Sequence, residues 1–189
     1  MRIVIAMAAL ALAACSQDAP SGPAAEPEAG AGAPATTTAG AVPRDAYVAA
    51  STTATSITGD LMVTDAGIHF SQSQDYFTEA PQVLPASTPY AAGGETLADA
   101  LSVPPATQVE LRHVSIQNVG EGASNGGLCG DAAVTYVALA AAPDTTGQAL
   151  LRIAAFRGAS PPGPQARAND LCGVFNYMPG APEEAPTPQ

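Results

Sequence analysis

Between Ser16 and Pro43 the chain carries no large apolar side chain before Val42, and Ala, Pro, Gly, Ser, Thr and Glu make up almost all of the stretch. Such a segment buries too little apolar surface to offset the entropy lost on ordering, so residues 15–43 are expected to form a disordered linker. As a flexible coil its 28 residues after Cys15 would reach on the order of 30 Å. Residues 179–189, with Pro182, Pro186 and Pro188 around Glu183 and Glu184, are expected to be a disordered tail for the same reason. A fold is therefore confined to residues 44–178, which suffices for one globular domain.

Before the linker, Arg2 is followed by an uncharged apolar run from Ile3 to Leu12, then Ala13, Ala14 and Cys15. This is the order of a secretory signal, and the run is shorter than the roughly 20 apolar residues that a transmembrane helix needs. The quartet Leu12-Ala13-Ala14-Cys15 resembles the lipobox of bacterial lipoproteins. That resemblance implies a lipoprotein signal peptide over 1–14, cleavage before Cys15, and a diacylglyceryl anchor on the Cys15 thiol. Ser16, standing where an inner-membrane retention signal carries Asp, implies an outer-membrane location facing the periplasm. An ordinary signal cut after Ala11-Leu12-Ala13, with Cys15 incidental, is the competing reading.

Three cysteines are present, and an odd number in an exported chain needs an explanation. Lipidation of Cys15 supplies one and leaves Cys129 and Cys172 as a pair, for which an oxidising periplasm favours a disulfide. A bridge across this separation would stabilise the fold by roughly 4 kcal/mol on the chain-entropy account. Two separate buried thiols are the alternative.

The chain has six arginines, no lysine and 17 acidic residues, for a formal charge of −11. Such a surface repels phosphate backbones and anionic lipid, which disfavours nucleic-acid binding and electrostatic membrane docking; a basic protein partner is permitted. With no Trp and few other aromatics, an aromatic platform for sugars or bases is also disfavoured.

Within 44–178, short β-prone runs alternate with turn residues. Ser51–Thr58 is rich in β-branched side chains and reads as extended. Ile57–Thr64 and Ile68–Phe70 flank Asp65-Ala66-Gly67, a hairpin signal. Further strands are expected at Tyr76–Leu84, Gln108–Val119, Ala133–Ala142, Ala149–Phe156 and Gly173–Met178, with Pro143–Gly147 turning a second hairpin. In the strand at 108–119, Leu111 and His113 share one face while Arg112, Val114 and Ile116 share the other, and neither face is purely apolar. Helical spacing appears only at Glu95–Leu101, ahead of Pro104 and Pro105. The pattern predicts a mainly β fold, a small antiparallel β-sandwich or barrel with one disulfide.

Motifs for chemistry are sparse. Gly122-Ala123-Ser124-Asn125-Gly126 matches Gly-x-Ser-x-Gly, but no His follows Ser124 and no helix signal opens after it, so a Gly-rich loop is the better reading. His69 and His113, joined to Asp65 or Glu110, have the chemistry of zinc ligands without the spacing of a known motif. Asp60, Asp65, Asp75 and Glu79 offer carboxylates that sequence does not pair. No catalytic residue, cofactor or metal ligand is therefore assigned. The domain resembles, in size and pattern, small β-rich domains of uncharacterised Gram-negative envelope lipoproteins and, in architecture alone, lipoprotein inhibitors of lysozyme. These resemblances imply a membrane-anchored, non-enzymatic binding or structural module, with a periplasmic hydrolase or a lysozyme-inhibitor-like protein as the alternatives.

Overall fold

Apolar side chains recur at every second position in Val137-x-Leu139 and in Leu151-x-Ile153-x-Ala155, and a strand places such residues on one face. The computed structural model describes residues 41–180, and it pairs these two runs as an antiparallel hairpin in the register that brings Leu139 opposite Ile153. The expected signal peptide over 1–14, Cys15, and most of the expected linker and tail lie outside the described residues.

The elements in chain order are β1 (Ala46–Ala49), α1 (Thr52–Ile57), β2 (Leu61–Val63), β3 (Gly67–Phe70), β4 (Gln74–Thr78) and β5 (Gln82–Pro85). They continue with α2 (Leu97–Leu101), β6 (Gln108–Val119), β7 (Leu128–Asp131), β8 (Tyr136–Pro143), β9 (Ala149–Phe156) and β10 (Leu171–Pro179). Strands β4, β3, β2, β1, β10, β9, β8 and β6 neighbour one another in that order, and β6 returns to pair with β4. These eight strands thus close on themselves as an antiparallel barrel, with β5 added beside β6. β6 is long enough to serve two partners along one edge: β4 pairs with Val114–Val119 and β5 with Gln108–Leu111.

A barrel of about eight strands has an interior that side chains just fill. Here the lumen holds Tyr47, Leu61, Val63, Ile68, Phe70, Tyr76, Val137, Leu139, Leu151, Ile153, Phe175 and Tyr177, all buried in one cluster. Outside the wall a second cluster forms where α2 covers β8 and β9: Leu97 and Leu101 lie with Ala138, Ala140, Ala154 and Phe156. The alanines of the outer face leave the space the helix occupies. α2 itself starts at a capping box, in which the Thr96 hydroxyl accepts from Asp99 N–H and the Asp99 carboxylate accepts from Thr96 N–H.

The two hairpins follow the turn chemistry of the sequence. In the β8–β9 turn, Asp144 Oδ1 accepts from the N–H groups of Thr146 (2.8 Å) and Gln148 (3.0 Å), and Gly147 takes a φ of +87°. At Gly67 any side chain would collide with the neighbouring strand, since a Cβ there would lie 2.3 Å from the Tyr76 carbonyl oxygen.

Four expectations need correction. Ser51–Thr58 is helical over Thr52–Ile57, because Ser51 caps the turn through Ala54 N–H (3.2 Å) and Ala54 is fully buried; capping and burial outweigh the few tenths of a kcal/mol per residue that β-branching costs a helix. Tyr76–Leu84 is two strands, parted around Pro81, where β4 leaves the β6 edge and β5 takes it up. Strands β1 and β7 appear where none was expected. Finally, the folded part begins by Ala41, since Val42, counted in the linker, is 1% exposed in the luminal core. At the other terminus Pro179, counted in the tail, pairs with Tyr47.

The disulfide joins Cys129 on β7 to Cys172 on β10 across 43 residues of sequence. Its reduction should lower the unfolding free energy by about 4 kcal/mol, measured by urea unfolding with and without reductant; equal midpoints would contradict this. Ala154→Leu should cost about 1–3 kcal/mol by overfilling the space under α2, read in the same assay.

Candidate functional site at the barrel mouth

One end of the barrel is where β1 begins and where the β2–β3 and β8–β9 hairpins turn. Along β6, Val109 and Leu111 face the outer cluster, so the intervening Glu110 and Arg112 face the lumen. Both side chains are 0% exposed. Charges without water must be paired and hydrogen-bonded, and here they are. Arg112 donates to Glu110 Oε2 through Nε (3.1 Å) and Nη2 (2.7 Å), and its Nη1 donates to the Thr64 carbonyl at the β2–β3 turn (2.8 Å).

The other carboxylate oxygen, Oε1, is taken by the segment entering β1. Val42 N–H donates to it at 3.0 Å and Arg44 Nη1 at 2.8 Å. Arg44 also donates to the Val42 carbonyl and, through Nε, to Asp65 Oδ1 at 2.9 Å. Tyr47 Oη donates to the Pro43 carbonyl (3.0 Å). Residues 42–47 therefore form a plug held by two ion pairs and a buried Val42 side chain.

Burial alone would raise the Glu110 carboxyl above its ordinary pKa; the hydrogen bonds from Arg44, Arg112 and Val42 N–H, with the charge of Arg112, outweigh it and hold the group below that value. Burial likewise pulls Arg44 down, but its bonds to Glu110 and Asp65 carry it above the ordinary guanidinium value.

The opposite end is closed by α1 and β7. Tyr177 Oη and Thr58 Oγ1 share a hydrogen bond of 2.6 Å, and Tyr76 Oη accepts from Leu128 N–H (3.1 Å) while donating to Gln74 Oε1 (3.1 Å). Burial drives the Tyr177 phenol far above its ordinary pKa, so it stays protonated.

The structure separates the candidate zinc ligands. Asp65 and Glu110 come together, but with Arg44 between them. His69 lies on the outer face of the barrel, paired with Asp75 (2.8 Å), and His113 pairs with Glu79 (3.1 Å) at the other end of β4. Among the described residues no three His, Cys, Asp or Glu side chains gather as a metal-binding group. Asp60 accepts from Ala49 N–H (2.9 Å), which ties β1 to the start of β2. Ser124 opens a single 3-10 turn, Ser124–Gly126, after the extended residue Ala123. That is a loop rather than the strand-to-helix elbow a serine hydrolase builds.

The sequence alone marks Glu110 only as a possible metal ligand and sets Arg44 at the edge of the linker. Their pairing was visible only as Glu110-x-Arg112 on one face of a strand whose other face carries Val109 and Leu111. Set against models of known protein families, against curated proteins and against solved structures, the chain matches none.

Glu110→Gln removes the counter-charge from two guanidiniums and should cost about 3–5 kcal/mol at neutral pH. Because the Glu110 pKa is depressed by folding, its contribution is present above the ordinary value of 4.5 and is lost as pH falls through the lower folded value. The parent should therefore lose stability in acid more steeply than Glu110→Gln. Urea midpoints at pH 7 and at successive acid pH values check this, and a variant with the parent's midpoint at pH 7 would contradict it.

Proposed function

We propose that the protein is a lipid-anchored lipoprotein of the cell envelope, held by Cys15 on the periplasmic side of the outer membrane. Its acidic barrel serves as a non-enzymatic binding or structural module. The observation that carries this reading is the distribution of charge. Of the arginines in the described domain, Arg112 and Arg152 are buried and Arg44 is committed to Glu110 and Asp65. Most of the positive charge is thus spent inside, while Asp45, Asp60, Glu79, Glu95, Asp99, Glu121 and Asp131 are exposed.

A surface with that imbalance attracts a cationic protein by long-range steering. The filled lumen adds support, because recognition then falls to the outside of the barrel. The linker expected between Cys15 and Val42 would give the barrel reach from a membrane that its own charge does not favour.

Mass spectrometry of the membrane-extracted protein should find a diacylglyceryl adduct on Cys15, and Cys15→Ala should release the protein from the membrane fraction; a free Cys15 thiol would contradict the anchor. Pull-down from envelope extracts should enrich a basic protein at low salt and lose it at high salt, since exposed charge pairs are screened. Enrichment of no partner at either salt would contradict the binding role.

A further inference from the structure

The connection between β9 and β10 runs from Arg157 to Asp170 and contains only one short 3-10 turn, Ala168–Asp170. A loop of this length in a small domain is usually functional or unstructured, and this one is built into place. Arg157 N–H donates to the Asp170 carbonyl (2.9 Å), closing the loop at its base. Gly163 N–H donates to the Tyr90 carbonyl (3.1 Å) and Ala92 N–H to the Ala166 carbonyl (2.9 Å), which fixes its far side to the segment before α2. Pro162 and Ala166 are buried. Pro161, Pro162 and Pro164 restrict the backbone further.

The fixed loop encloses a pocket of about 360 Å³ whose walls include Arg157, Ser160, Gln165, Arg167 and Asp170. That volume falls in the range of small-molecule sites. Its content is unusual for this protein. Arg157 and Arg167 are the only exposed arginines among the described residues, and both line this one pocket. The ion pairs among the described residues engage Arg44, Arg112, His69 and His113, and neither of these two. In a chain with 17 acidic residues and no lysine, two arginines with no carboxylate partner among the described residues concentrate what positive potential the described surface retains.

The guanidinium of Arg157 is steadied by one bond, from Nη2 to the Asn169 carbonyl (3.1 Å), which leaves its other donors for a ligand. Arginine presents its donors as a planar fork that matches the oxygens of a carboxylate or a phosphate. Ser160 and Gln165 add uncharged donors. The Asp170 carboxylate also lines the pocket, its Oδ2 accepting from Arg167 N–H (3.2 Å).

We propose that this pocket binds a small oxyanion, a carboxylate or a phosphate monoester, between Arg157 and Arg167. The inference does not depend on the basic partner or the lipid anchor, so it stands or falls separately from them.

The test is a titration of the ¹⁵N-labelled full chain in detergent micelles with succinate and, separately, with inorganic phosphate, using chloride at matched ionic strength as the control. Saturable shifts are expected at the amides of Gly158 and Ala159 and at the side-chain Nε–H groups of both arginines. Saturation by succinate alone assigns a carboxylate ligand, and saturation by phosphate alone assigns a phosphate. Arg157→Gln and Arg167→Gln should each raise the half-saturation concentration about tenfold, the loss of one charge-assisted pair, while barrel amides such as Val137 and Ile153 stay at their parent positions. Should Arg157→Gln fail to fold, Arg167→Gln, an exposed side chain, carries the comparison. Absence of saturable shifts with both anions, or an unchanged half-saturation in Arg167→Gln, would overturn the proposal.

Discussion

A carboxylate with no exposed surface costs several kcal/mol unless every lone pair is met, and Glu110 is such a carboxylate. Its partners come from two separate parts of the chain: Arg112 two residues along β6, and Val42 and Arg44 from the segment before β1. Arg112 in turn fixes the β2–β3 turn through the Thr64 carbonyl. One acidic side chain thus sets where the chain enters the barrel, which strand it starts and how the adjacent hairpin sits across the mouth. A buried ion pair is a poor way to gain stability compared with well-packed hydrocarbon. Here it supplies direction, because other arrangements of residues 42–44 would leave the buried Oε1 of Glu110 without its donors.

The two ends of the barrel solve the same problem by different means. At the Glu110 end the backbone itself forms the plug and charge holds it. At the other, α1 and β7 lie across the opening, and the hydroxyls of Tyr177 and Tyr76 satisfy themselves on Thr58, Gln74 and Leu128. The disulfide ties that second closure to β10. With both ends shut and the lumen packed, the surface and its loops are left to meet other molecules. The two exposed arginines then stand out by contrast with their acidic surroundings.

Much of the fold was legible in the sequence. β6 and β9 run over the residues their alternation marks, the Asp144 turn follows from its turn chemistry, and the Cys129–Cys172 bridge is formed. What was hidden has physical causes. The mixed faces of β6 arise because Glu110 and Arg112 face the lumen while Val109 and Leu111 lie under the outer cluster. A bulge at the β4–β6 pairing between Phe77 and Thr78 then leaves Ile116 exposed. α1 is helical against its β-branched composition because a serine cap and one buried alanine decide the matter. β1 is four residues with few large side chains, so its identity comes from pairing with β10 and β2 and not from its own pattern. Of the site, Glu110 was visible as a residue but not as the centre of an ion-pair network, since Arg44 lies 66 positions away. Arg157 and Arg167 carry no motif at all, and only the folded loop brings them to one pocket.

Val42 is held at the barrel mouth because its amide is bound by a buried carboxylate. Hydrogen exchange of the Val42 amide in the full chain measures this directly. The account predicts exchange slowed to the level of barrel amides such as Leu139 and Ile153, with that protection lost selectively in Glu110→Gln under conditions where the barrel amides stay protected. Exchange of the parent Val42 amide at the rate of an unstructured peptide would contradict it.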